Sequence, residues 1–278
     1  MGGCANIASG TRSTVGGGQA NTSSGNCSMV GGGCGNNSTA AYATVAGGQG
    51  NCSTAVRTFI GGGQSNTASN NYSLITGGYL QVSDGYASTI SGGYRNYANG
   101  HQATIGGGIC NYICCNVDRT CTAGATIAGG AGNNTSGGTF GTATFSVAPT
   151  TFYAAGKFST IGGGLQNRAT AVYATVAGGT GNNASGARSF IGGGDGNTTS
   201  GYRSVVGGGY LNTASGYRSS VLGGTSNTAN NNYATIAGGL FNTASGNASF
   251  IGSGVSNKAS GCFATVSGGY NNTASGLY

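Results

Sequence analysis

The chain has 278 residues, of which 61 are glycine, and only 5% are charged. An ordinary soluble domain has about 7% glycine and about 25% charged residues, so this composition argues against a globular core of the usual kind. The net charge of +7 permits an anionic partner but does not specify nucleic acid, and we predict no nucleic-acid partner.

A fifteen-residue repeat runs through nearly the whole chain. We number its positions 1–15 so that position 5 is the β-branched residue, for example Val15 and Ile60. Position 8 is glycine in every copy, and position 11 is asparagine except at Gln81. A disordered linker has no reason to keep these residue types at a fixed phase, so the pattern predicts a repeat architecture.

The residues within one copy favour short strands joined by glycine corners, because glycine, β-branched and Asn/Ser positions disfavour a helix. Alternation along a strand directs positions 3, 5, 11 and 13 inward and positions 2, 4, 12 and 14 outward. We expect one corner at the glycines of positions 7 and 8, and another at position 15, which should supply a positive φ. The predicted fold is an all-β parallel β-solenoid, or β-roll, with residues 1–278 as a single domain of about 17 turns, here called rungs.

The asparagines at position 11 should form a column inside this coil. We expect each to hydrogen-bond from rung to rung and to corner backbone, since a buried amide needs partners for its oxygen and its NH₂ group. Outward apolar residues recur at positions 4, 9 and 10, and such patches predict faces that associate with other chains.

Two insertions interrupt the spacing, and we predict loops at residues 116–122 and 138–156. Surface insertions are readily tolerated, but the second also concentrates aromatic residues that can dock a partner. These candidate docking residues are Phe140, Phe145, Phe152 and Tyr153. Beside the first insertion lies a cysteine group that can form disulfides, made of Cys110, Cys114, Cys115 and Cys121. Its spacing is not that of two Cys-x-x-Cys pairs, so no metal site is predicted.

Toward the C-terminus, position 2 is arginine in three successive rungs, at Arg188, Arg203 and Arg218, and position 1 holds Tyr202 and Tyr217 beside them. This column can contact an anionic glycan or another partner through charge and stacking. The alternative is a solvated stripe, because like charges on neighbouring strands repel each other.

Residues 233–246 read YATIAGGLFNTASG, and residues 263–276 read FATVSGGYNNTASG. These segments resemble the repeats of trimeric autotransporter adhesin heads and of related phage or viral fibre proteins. The resemblance implies a left-handed parallel β-roll in a surface fibre. From the outward apolar positions we expect the chain to associate with itself, as a head-to-tail filament or a trimer, and a host surface glycan or receptor is a further candidate partner.

The chain starts at position 6 and stops at position 2, so a second copy placed on its end would continue the repeat. We therefore hypothesise head-to-tail assembly, with a fragment of a longer fibre as the alternative. The predicted function is a structural subunit of an extracellular or virion-surface fibre. An adhesive role is compatible with this function.

Ice binding is the main alternative function, because Thr and Ser at positions 12 and 14 resemble the Thr-x-Thr arrays of antifreeze β-solenoids. No enzymatic activity and no cofactor are predicted, since His101 is the single histidine and the three aspartates are far apart in sequence. No stretch of about 18 apolar residues is present, so no membrane insertion is expected.

Overall fold

A computed structural model describes residues 2–114, 122–135 and 156–276. These residues form an all-β parallel β-solenoid of about 16 turns of roughly 15 residues, with no helix among them. The predicted fold class is confirmed. The described chain separates into two compact units, the first with residues 2–114 and 122–132 and the second with residues 133–135 and 156–276. The left-handed sense and the single-domain organisation stay predictions.

Each rung contributes two strands of two residues, one at positions 4–5 and one at positions 12–13. The strands of the first unit are β1 (Ile7–Ala8), β2 (Thr14–Val15), β3 (Thr22–Ser23), β4 (Met29–Val30), β5 (Asn37–Ser38), β6 (Thr44–Val45), β7 (Cys52–Ser53), β8 (Phe59–Ile60), β9 (Thr67–Ala68), β10 (Leu74–Ile75), β11 (Val82–Ser83), β12 (Thr89–Ile90), β13 (Tyr97–Ala98), β14 (Thr104–Ile105), β15 (Tyr112–Ile113) and β16 (Thr126–Ile127).

The strands of the second unit are β17 (Thr160–Ile161), β18 (Arg168–Ala169), β19 (Thr175–Val176), β20 (Asn183–Ala184), β21 (Phe190–Ile191), β22 (Thr198–Thr199), β23 (Val205–Val206), β24 (Thr213–Ala214), β25 (Ser220–Val221), β26 (Thr228–Ala229), β27 (Thr235–Ile236), β28 (Thr243–Ala244), β29 (Phe250–Ile251), β30 (Lys258–Ala259), β31 (Thr265–Val266) and β32 (Thr273–Ala274).

Neighbouring rungs pair in parallel with a register of one repeat. Val45 pairs with Ile60 in the first unit, and Val206 pairs with Val221 in the second. A third line of pairing, which the sequence did not predict, runs through single residues at position 9, where Gln49 bridges Gln64. Backbone hydrogen bonds between rungs occur along these three lines and also at the corner of positions 1 and 2, where the N–H of Arg57 donates to the carbonyl of Ala41 at 3.0 Å.

The predicted inward positions are confirmed. The β-branched side chains of position 5 are fully buried in nearly every described rung, as are the small residues at positions 3 and 13, for example Ser204 and Ala214 around Val206. Burial of one Val or Ile side chain per rung stabilises the fold by about 1.5–3 kcal/mol. The interior is thus a narrow column of β-branched side chains lined by small residues.

The corner predicted at position 15 is present, but the prediction that position 15 supplies its positive φ was wrong. In this corner positive φ lies at position 2 instead, with values of 52 to 62° for its non-glycine residues, and it recurs at position 10, for example at Leu211 with 54°. The cause at position 2 is a four-residue turn over positions 15 to 3, in which the N–H of Ser204 donates to the carbonyl of Gly201 at 3.2 Å. The third residue of such a turn takes the positive φ, and this residue is Arg203.

The glycines at position 8 form the predicted corner beside positions 7 and 9. Their φ lies between 84 and 105°, a region that side chains other than glycine rarely adopt. A Cβ atom on Gly48 would also meet the carbonyl oxygen of Gly63 in the next rung, and the Nδ2 atom of Asn51 at 2.6 Å. Both the conformation and the close approach of backbone explain glycine at this position.

The asparagine column forms the predicted hydrogen-bond ladder. The Nδ2 atom of Asn51 donates to the carbonyls of Gly47 and Gly63, both at 2.9 Å, and its Oδ1 atom accepts from the N–H of Asn66 at 3.0 Å. Each side chain thus links its own corner to the next rung. Gln81 keeps the rung-to-rung bond through its Oε1 atom, which accepts from the N–H of Asn96 at 3.0 Å, but its buried Nε2 atom has no partner within the described residues.

Candidate surface contact site

The corner at positions 1 and 2 carries the most distinctive surface of the second unit. Because the turn over positions 15 to 3 repeats in each rung, the side chains at position 2 project outward one above another. We define the Arg/Tyr strip as the exposed residues of this corner in five consecutive rungs: Tyr173, Arg188, Tyr202, Arg203, Tyr217, Arg218 and Tyr233.

The arginines of the strip lie over tyrosine rings. The Cζ atom of Arg203 is 5.1 Å from the ring centroid of Tyr202, and that of Arg218 is 5.1 Å from the ring centroid of Tyr217. Arg188 lies 5.8 Å from the rings of both Tyr173 and Tyr202. These distances are within the range of cation–π attraction, which is about 0.5–1 kcal/mol at an exposed site.

The tyrosines of the strip also contact one another. The rings of Tyr202 and Tyr217 stack at 5.6 Å with an interplanar angle of 11°, and Tyr217 meets Tyr233 edge to face at 5.6 Å. The Nη1 atom of Arg188 donates to the hydroxyl of Tyr202 at 2.8 Å. The strip is therefore an ordered series of contacts and not a row of independent side chains.

The positive charge of the Arg/Tyr strip is not balanced by nearby acidic side chains in the described part of the chain. Residues 156–276 contain six Lys or Arg side chains and a single acid, Asp195. Asp195 belongs to position 9, where its backbone bridges Thr180 and Tyr210, and it forms no ion pair with Arg188, Arg203 or Arg218. Within the described part of the chain the three arginines interact with tyrosines alone.

The backbone beneath the strip is strained. Arg188, Arg203 and Arg218 have φ values of 58, 57 and 53°. A left-handed backbone costs about 1–2 kcal/mol for a residue with a Cβ atom, whereas glycine adopts it freely. Arginine is thus present where glycine would be the least strained residue.

The structure brings together all five residues that the sequence singled out here, Arg188, Arg203, Arg218, Tyr202 and Tyr217. It adds Tyr173 and Tyr233, which sequence reasoning missed. The spacing of fifteen residues between Tyr173 and Arg188, and again between Arg218 and Tyr233, would have identified them if position 2 had been followed through tyrosine as well as arginine.

A smaller aromatic series occupies the same corner of the first unit. Arg57 lies between Tyr42 and Tyr72, at 5.7 and 5.5 Å from their ring centroids. Tyr72 then contacts Tyr86, which contacts His101 at 5.9 Å. Only one arginine takes part, so this corner lacks the run of positive charge found in the second unit.

The other predicted sites fall partly or wholly outside the described residues. Phe140, Phe145, Phe152 and Tyr153 lie outside, as do Cys115, Cys121 and almost all of the loops at 116–122 and 138–156. Cys110 and Cys114 are buried. The disulfide group and the docking loops therefore stay predictions.

Burial shifts several titrating groups away from their ordinary behaviour. It raises the pKa of the Cys110 thiol, an effect that the charge of Arg95 opposes, and it raises the pKa of the Tyr112 hydroxyl. Burial likewise raises the pKa of Cys52 and lowers that of Arg168. A raised thiol pKa lowers the thiolate fraction of Cys110 and Cys52 at neutral pH.

Among residues 2–114, 122–135 and 156–276, no three His, Cys, Asp or Glu side chains group closely enough to hold a metal ion. A search of the same residues finds no helix with the length and apolar character needed to cross a membrane. The sequence matches no known protein family and no curated protein.

Proposed function

We propose that the protein is a non-enzymatic structural subunit of an extracellular or virion-surface fibre. The observation that carries the proposal is the combination of rungs held together by repeated hydrogen bonds with large apolar side chains exposed on the outer columns. Fibre subunits need an element that repeats along one direction and a surface that associates with other chains. Each coil has the repeating element, and its exposed apolar columns support the proposal of an associating surface.

The outward apolar residues support lateral association. At position 4, Met29, Phe59, Phe190 and Phe250 are about two-fifths exposed, and at positions 9 and 10 Tyr210, Leu211 and Phe241 are about half exposed. Such exposed apolar side chains, which recur along the outer columns with threonine between them at position 4, are typical of surfaces that other chains cover. We propose that further copies of this chain cover these columns, in a homo-oligomer or a bundle.

Self-association is tested by replacing the phenylalanines of position 4 with threonine, the residue found there in neighbouring rungs such as β27 and β31. In the triple variant F59T/F190T/F250T the strands keep a β-branched residue while the outer column loses its apolar rings. We expect the wild-type protein to form oligomers or fibres in sedimentation velocity and electron micrographs, and the variant to dissociate at equal concentration. A wild-type protein that stays monomeric at all concentrations, with no elongated assemblies, would overturn the proposal.

Ice binding is a second candidate, favoured by one run of residues in the second unit. Thr198, Thr213, Thr228 and Thr243 occupy position 12 in four consecutive rungs, pair in register and are half-buried. The run is bounded by Asn183 and Lys258 in the adjoining rungs, which limits the regular face to four rungs. Thermal hysteresis in dilute solution tests this function, and a fibre subunit should show none.

A further inference from the structure

We infer that the Arg/Tyr strip binds a linear acidic polysaccharide, a polymer whose sulfate or carboxylate groups recur along its length. The inference rests on the proposed surface role, because it names the ligand through which such a fibre would adhere. It depends on the geometry of the strip, on its charge and on the state of its tyrosine faces.

The charge of the strip selects an anionic ligand. Three arginines follow one another in consecutive rungs, with no acidic side chain against any of them in the described part of the chain. Strands in neighbouring rungs are about 4.8 Å apart, so the three guanidinium groups recur at short, regular intervals. A polymer with repeated acidic groups can contact several of them at once, and linked contacts strengthen one another.

Most guanidinium N–H donors of the strip have no hydrogen-bond acceptor within the described residues. Each guanidinium carries five such donors in one plane. Arg188 gives one N–H to the hydroxyl of Tyr202 at 2.8 Å, while Arg203 and Arg218 donate no side-chain hydrogen bond within the described residues. Planar forks of N–H donors suit the paired oxygens of a sulfate or a carboxylate.

The tyrosine faces argue against single-stranded nucleic acid. Binding of that kind depends on bases stacking on free aromatic faces. Tyr202 is contacted by Arg203 at 5.1 Å, by Arg188 at 5.8 Å and by the stacked ring of Tyr217 at 5.6 Å. With its faces covered, Tyr202 presents its edge and hydroxyl group, which match the hydroxyls of a sugar chain better than a base.

Calorimetric titration of the intact chain with defined polymers tests the inference. The probes are a heparin oligosaccharide for sulfate, an alginate oligomer for carboxylate, neutral dextran, poly-glutamate, and a thymidine oligonucleotide. We expect heparin or alginate to bind, dextran not to bind, and the affinity to fall as salt rises. Tighter binding of the oligonucleotide or of poly-glutamate than of both polysaccharides would overturn the inference in favour of that class of partner.

The deciding variant is R188Q/R203Q/R218Q, in which glutamine keeps a Cβ atom at each positive φ. Each lost charge-assisted contact weakens binding by about tenfold, so we expect the loss of three to weaken binding by roughly 1,000-fold. R203K keeps the charge but not the planar fork, and should bind about fivefold to tenfold more weakly. Lys258→Gln and Arg57→Gln remove exposed charges elsewhere and should change the affinity by no more than about twofold.

Three results would contradict the strip as the site. These are wild-type affinity in R188Q/R203Q/R218Q, an equal loss in Lys258→Gln, and unchanged binding by R203K. Circular dichroism and the melting temperature show whether each variant is folded. Sedimentation of the same samples separates this inference from the fibre proposal. Fibres that bind no polysaccharide would overturn only the inference that the strip is a polysaccharide site. Monomers that bind polysaccharide would overturn only the proposal that the protein is a fibre subunit.

Discussion

The two units of the chain share their interior and differ at their surface. In both, position 5 fills the coil, position 8 is a left-handed glycine and position 11 forms the asparagine ladder. At the corner of positions 1 and 2, however, the second unit has three successive arginines between tyrosines, whereas the first has arginine only at Arg12 and Arg57. Inside the coil each residue type is constrained by contacts with the rungs above and below. On the outer surface these constraints are weaker, and the residue types differ from rung to rung.

Glycine at position 8 should be equally necessary in both units, which gives the largest effect. Gly48→Ala in the first unit and Gly179→Ala in the second force a left-handed φ on a residue with a Cβ atom, which meets the carbonyl of the next rung. We expect each to lower the free energy of unfolding by roughly 4 kcal/mol, measured by urea denaturation followed by circular dichroism.

The matched controls are the preceding glycines at position 7. A Cβ atom on Gly47 or Gly178 would meet nothing within 4 Å, and neither residue has a positive φ. Alanine at these positions should change the free energy of unfolding by no more than about 0.5 kcal/mol. A unit that tolerates Gly48→Ala or Gly179→Ala as well as its control would show that the interiors differ.

Removing one member of the asparagine ladder should have the next largest effect. In the second unit the Nδ2 atom of Asn182 donates to the carbonyls of Gly178 and Gly194 at 3.0 and 2.9 Å, and its Oδ1 atom accepts from the N–H of Asn197 at 3.0 Å. Asn51 makes the three equivalent hydrogen bonds in the first unit. We therefore expect Asn51→Ala and Asn182→Ala each to lower the free energy of unfolding by about 2–3 kcal/mol. Costs that differ between the two variants by more than about 1 kcal/mol would break the equivalence of the two ladders.

Gln81 is the one place where the ladder of the first unit departs from that of the second. Gln81→Asn should restore donation to the carbonyls at positions 7 and 8, and we expect the free energy of unfolding to rise by about 1 kcal/mol. The reverse exchange, Asn51→Gln, is the control and should lower it. A lower stability for Gln81→Asn would mean that the longer side chain fills space that asparagine leaves empty.

The smallest effect compares the two outer corners directly. Ala87 in the first unit and Arg218 in the second both have a φ of 53°. Ala87→Gly relieves strain without losing a ring contact and should stabilise the protein by up to about 1 kcal/mol. Arg218→Gly also loses contacts with Tyr217 and Tyr233, at 5.1 and 6.0 Å, so its net change should be near zero. Equal stabilisation by both substitutions, in thermal melts, would show that the Arg/Tyr strip contributes nothing to stability.

The sequence predicted the interior well because its causes are local. Alternation along a strand places Val206 and Ala214 inward whatever the rest of the chain does, and a buried Asn182 must find partners for its amide. Corners were harder to predict, since glycine at position 15 suggested a positive φ that the structure places at Arg203, two residues later. Glycine at Gly201 is explained instead by the close approach of the carbonyl of Gly216 in the next rung.

The candidate site shows the same division. Repeat spacing alone identified Arg188, Arg203 and Arg218 as neighbours. It did not show that Tyr173 and Tyr233 extend the series, nor that the guanidinium groups lie over the rings, because side-chain directions depend on the turn that begins each rung.

By itself, the sequence determined a parallel β-solenoid with β-branched and asparagine columns inside and glycine beside them. These features follow from the two-residue period of a strand and from the need of buried amides for partners, both of which act within a rung or between adjacent rungs. Only the tertiary structure decided the third line of pairing at position 9, the positive φ at position 2 and the stacked Arg/Tyr strip. They depend on the contacts between residues one full repeat apart. The geometry of the corners, not local composition, determines those contacts.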